Sequence, residues 1–106
     1  MKKLNDIELH DGNLLGIHLD QKAQEVTIDI EYYADTGRGE REKAQIKFTG
    51  VTQVNQILDL ELMKKHSVCG NITQWVVRES PKVTQIYLAR GLISVTSKTV
   101  ELARVV

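Results

Sequence analysis

The chain has one cysteine, Cys69, so no intrachain disulfide can staple it. A lone thiol of this kind fits a reducing compartment. There is also one proline, Pro81, and no low-complexity tract or interdomain linker. Fourteen basic and fourteen acidic residues cancel. No long-range field therefore draws in nucleic acid or an anionic membrane surface. No apolar run approaches the roughly 20 residues of a membrane-spanning helix. The N-terminus turns polar at once, through Lys2, Lys3, Asn5 and Asp6, without the apolar stretch of a secretory leader. The expected compartment is the cytoplasm.

What is present is an ordinary globular composition, 42% apolar and 26% charged over 106 residues. That length predicts one β-rich domain over 1–106. Short alternations carry the fold. Leu15, Ile17 and Leu19 alternate with Gly16, His18 and Asp20; Val26, Ile28 and Ile30 alternate with Thr27, Asp29 and Glu31. This period of two marks half-buried antiparallel strands. Pairing Leu19 with Val26, Ile17 with Ile28 and Leu15 with Ile30 stacks six aliphatic residues on one face. It also sets His18 opposite Thr27 on the other. A one-residue slip would send the apolar set outward, so burial fixes the register. Upstream, a three-residue loop after Leu9 would pair Ile7 with Leu15 and place Gly12 in the left-handed region. Downstream, Tyr32 and Ala34 extend the second strand. A polar loop over 35–40 follows, and Ala44, Ile46 and Phe48 form a third strand.

Residues 51–66 are ambiguous. Val51, Val54, Ile57, Leu58 and Leu62 fit a helical stripe, yet 58–62 also alternate with period two. The lack of β-branched residues over 58–65 favours a helix. Beyond Gly70 a strand is expected around Trp75, ended by Ser80-Pro81. Next come 83–89, a turn at Arg90-Gly91 pairing Leu88 with Ile93, and a turn at Ser97-Lys98 pairing Val95 with Val100. The pattern predicts a mainly β fold with at most one helix around 52–66. Its two antiparallel meanders form a sandwich or a partly closed barrel.

Few residues point to chemistry. His10-Asp11 and His18-x-Asp20 are the densest set of metal-ligand types, but the hairpin register separates the turn from His18. Asp before Gly is also an ordinary turn residue. His66 and Cys69 suggest a base and a thiol only if their segment is helical, which Gly70 opposes. Arg38 and Arg41, flanked by glycines, resemble an anion clamp. Glu40 and Glu42 beside them offset that charge. Tyr32 and Tyr33 must point to opposite faces, one to the core. Trp75 reads as core, with its indole N–H on a carbonyl or water. Thr27, Asp29, Glu31, Gln45 and Lys47, with Thr84, Thr96 and Thr99, form polar faces suited to sheet association.

The runs His10-Asp11-Gly12-Asn13-Leu14-Leu15 and Ile46-Lys47-Phe48-Thr49-Gly50-Val51, and the tail from Ile86 to Val95, resemble small uncharacterised bacterial β-rich domains. One group of polymorphic-toxin immunity proteins is among them. The resemblance implies a β-rich fold and a protein-binding role, and supplies no catalytic residues. The expectation is a non-enzymatic binder of an unidentified protein, without cofactor, metal, nucleic acid or membrane, and with room for a homodimer. The alternative is a small-ligand binder or minor enzyme with its site in a barrel mouth or between sheets. His10, Asp11, Arg38 and Arg41 are its first candidate surface residues.

Overall fold

The computed structural model describes residues 4–34, 39–65 and 70–105. A 3₁₀ turn at Leu4–Asp6 leads into β1 (Asn13–Asp20), β2 (Glu25–Tyr32), β3 (Glu42–Thr49) and β4 (Gln53–Leu58). After α1 (Leu60–Lys65) come β5 (Ile72–Arg78), β6 (Val83–Leu88), β7 (Gly91–Thr96) and β8 (Thr99–Arg104). The strands make two antiparallel four-stranded sheets, ordered β1-β2-β3-β8 and β4-β7-β6-β5. The molecule is a sandwich, not a closed barrel. One apolar core draws on both sheets. Ile28, Ile30, Ile46 and Phe48 of the first meet Ile72, Ile86, Ile93 and Val95 of the second, all buried.

The expected alternation forms the strands, but the two halves of the chain trade a strand. β8 does not turn back onto β7. It pairs with β3, setting Val100 against Phe48 and Leu102 against Ile46. β4 pairs with β7, setting Val54 against Val95. The expected Val95–Val100 hairpin is therefore absent: Ser97-Lys98 is a crossing between sheets. So β3–β4 and β7–β8 form one long antiparallel ribbon bent across the sandwich. Between the Thr49–Thr99 and Gln53–Thr96 pairs, three residues (50–52) oppose two (97–98). One extra residue on the outer arm of a bend is how strands pass from one sheet to another. Gly50 sits there with φ of 62°, and a Cβ would come within 2.7 Å of the Lys98 side chain.

Three other readings need correction. First, Ile7 does not pair with Leu15. The segment before β1 crosses to the second sheet. There the Asp11 N–H donates to the Ile72 carbonyl (2.9 Å) and the Ile72 N–H to the Gly12 carbonyl (2.7 Å). The left-handed residue is Asp11 (φ 67°), not Gly12. Gly12 is required by close approach, since a Cβ would lie 2.8 Å from the Glu31 carbonyl oxygen. Second, Leu19–Val26, His18–Thr27 and Ile17–Ile28 pair as expected, but a bulge between Leu14 and Gly16 puts Leu14, not Leu15, opposite Ile30. Leu15 is left 49% exposed. Third, Leu88 pairs with Gly91 and Ile86 with Ile93. This register differs from the expected one by two residues, which leaves every side chain on its expected face.

The ambiguous stretch divides between both readings. β4 takes 53–58, where β-branched Val54 and Ile57 lie, and the helix takes only 60–65. Asp59 caps it, its Oδ1 accepting from the Leu62 N–H at 3.0 Å. Thr84 belongs to no outer polar face: it is fully buried. Tyr32 is the core ring of its pair, and the Trp75 indole N–H donates to the Ile7 carbonyl at 2.8 Å.

Candidate functional site

Three of the four candidate surface residues meet at one corner; Arg38 lies outside the described residues. The N-terminal segment carries His10 and Asp11 past the edge of β5 and the start of β3. His10 Nδ1 donates to the Thr73 carbonyl at 3.0 Å, and its Nε2 lies 3.5 Å from Asp11 Oδ1. The Arg41 Nε–H donates to the Asp11 carbonyl at 3.0 Å, with the guanidinium 5.0 Å from the centre of the Tyr33 ring. These contacts clasp the N-terminal segment to both sheets. The corner is exposed and carries no paired nucleophile and base. His66 and Cys69 lie outside the described residues. His18 stands apart, 3.7 Å from Asp29 on the outer face of the first sheet. Among the described residues, no three His, Cys, Asp or Glu side chains converge as a metal site requires.

The two outer faces differ sharply in charge. On the β1-β2-β3-β8 sheet, parity turns out Asp20, Glu25, Asp29, Glu31, Lys43, Lys47 and Glu101. Opposite charges face each other at Glu31–Lys43 and Lys47–Glu101, while Asp20 faces Glu25. Gln45 donates to Asp29 at 3.0 Å and Asn13 to Glu31 at 2.9 Å, while the Thr49 and Thr99 hydroxyls bond each other. This face is a charged, solvated surface.

The β4-β7-β6-β5 sheet turns out three rows instead. The first is Ile57, Leu92, Tyr87 and Gln74; the second is Asn55, Ser94, Gln85 and Val76; the third is Gln53, Thr96, Val83 and Arg78. Only Arg78 is charged. Gln85 Oε1 accepts both from Arg78 Nε (3.3 Å) and from the Tyr87 hydroxyl (3.1 Å). That ties the one cation and the one aromatic ring to the centre of the face. A surface of aliphatic, tyrosyl and amide groups, depleted in charge, has the composition of an interface core. Sequence inspection misses it. Ile57 and Leu92 become neighbours only once β4 is known to add to β7, across 35 residues of chain.

A concave feature lies where the β1–β2 turn meets the start of β4. This open groove of about 460 Å³ is lined by Leu19, Gln24, Val26, Val51 and Val54, among others. Among the described residues, no helix is long and apolar enough to cross a membrane.

No protein-family model and no curated protein matches this sequence. Its fold is similar to that of a solved structure, an uncharacterized protein from Neisseria gonorrhoeae. The TM-score is 0.56 at 17% sequence identity, over 88% of this chain and 90% of that one. At that identity the likeness is one of fold.

Proposed function

We propose that this protein is a non-enzymatic binding domain that recognises another protein through the outer face of the β4-β7-β6-β5 sheet. The observation that carries this reading is the charge contrast between the two outer faces. One carries seven acidic and basic strand residues, and the other bears a single cation among twelve strand residues. Solvated sheet faces are normally charged. A face kept free of carboxylates and lysines, with Tyr87, Leu92, Ile57 and Val76 upon it, supports contact with a protein surface of similar polarity. An immunity-like role, holding a toxin domain, is one form this recognition takes. The test is capture from native lysate with tagged wild type beside a Val76→Lys/Leu92→Lys variant. A stoichiometric partner held by the wild type and lost by the variant is expected. Equal retention by both removes the face from the account.

The groove beside Val51 favours a second reading, small-ligand binding, since its volume falls in the range of ligand sites. A thermal-shift screen of metabolites and metal ions tests it. A stabilising ligand should lose its effect in Leu19→Arg, whose side chain lines that groove.

A further inference from the structure

A sandwich of two open sheets has four edge strands, here β1, β8, β4 and β5. Unpaired edges invite pairing with other chains, and proteins close them with bulges, charges or covering segments. Three of the four are closed in this way. β1 carries the bulge at Leu15 and ends on Asp20. β5 carries a bulge between Ile72 and Gln74, and the N-terminal segment bonds Ile72 from outside. β8 carries Glu101 and Arg104. β4, with the sequence Gln-Val-Asn-Gln-Ile-Leu, has no charge, no proline, no glycine and no bulge. Among the described residues, no backbone group bonds it on the side away from β7. Among the described residues, the two most exposed large apolar side chains are Ile57 (72%), on this strand, and Leu60 (70%), two residues past its end.

We infer that β4 pairs antiparallel with β4 of a second copy of this chain, joining two four-stranded sheets into one of eight. A second copy fits better than a foreign strand because β4 is self-complementary. When a strand pairs with itself about a two-fold axis, a charged residue near the axis meets its own charge; β4 has none. The amide of Gln56 both donates and accepts, so at the axis it can bond its own copy. Parity restricts the register, since apolar inner faces continue into each other only if the axis passes through a residue. An axis at Gln56 sets Val54 against Leu58 of the second copy on the inner side. It also brings the two Ile57 side chains to diagonal positions on the outer side. The neutral outer faces then run together into one surface. The inference does not depend on the function proposed above, because oligomeric state is read without any other protein.

The test is sedimentation velocity of the full chain from about 1 to about 200 µM, beside an Asn55→Lys/Ile57→Lys variant. Both substituted side chains are exposed on β4. The wild type should move to twice the chain mass as concentration rises, and the variant should remain at the monomer mass. If the variant does not fold, amide exchange on the wild type serves instead: amides of β4 should slow with concentration while those of β8 do not. A wild type monomeric throughout, a variant that dimerises equally, or β4 amides indifferent to concentration would overturn the inference.

Discussion

At the scale of single residues, the core contains one mismatch and one anchor. Thr84 is fully buried among aliphatic neighbours, and among the described residues its hydroxyl has no hydrogen-bond partner. An unpaired buried hydroxyl is a net cost, so Thr84→Val should stabilise the fold by about 1 kcal/mol. Chemical denaturation would show this as a higher midpoint with an unchanged slope. Trp75 is the anchor, since its indole N–H holds the Ile7 carbonyl and with it the N-terminal segment. Trp75→Phe should cost about 1–2 kcal/mol, through the lost bond and the space left behind. Amide exchange should show residues 7–12 losing protection first. Leu15 separates two registers. If it paired with Ile30 inside the core, truncation would cost about 3 kcal/mol. Bulged outward, Leu15→Thr should cost less than about 1 kcal/mol. Thermal unfolding of that variant distinguishes them. The sequence shows which residues of β1 are apolar, but a bulge reverses parity without any pattern of its own.

At the scale of elements, the bent ribbon decides the architecture. Gly50 holds the bend with a positive φ and no room for a Cβ. Gly50→Ala should destabilise by more than about 1 kcal/mol, because it combines a strained backbone with a clash against Lys98. Equilibrium unfolding of the variant checks this, and an unchanged stability would mean that the corner is looser than the geometry implies. The strands were legible because alternation reports which faces are buried. β2 and β3 pair from Val26–Phe48 to Tyr32–Glu42, which keeps the apolar residues of both strands on the one face that alternation assigns them. The β4–α1 region was not legible as a unit because its apolar spacing satisfies both periods. Local composition divides it correctly in hindsight, with β-branched residues before Asp59 and none in the helix.

At the scale of the molecule, the unread part was which strands meet across long separations. Val100 has the right parity to pair with Val95 or with Phe48, and alternation is silent between them. What selects β3 is the closing of two sheets over one core, a property of all eight strands together. The functional surface follows the same rule. His10, Asp11 and Arg41 were visible as polar residues near glycines, and the fold brings them into a structural clasp. The neutral face was invisible because its rows mix β4 with β5, β6 and β7. The contrast between the two faces is what would direct a partner to one side of the sandwich. Its most direct test is a methyl-resolved NMR titration of the protein with its captured partner. Ile57, Val76, Val83 and Leu92 should shift while Thr27 and Ala103, on the opposite face, should not. Shifts confined to Thr27 and Ala103, or to the corner around His10 and Arg41, would contradict it.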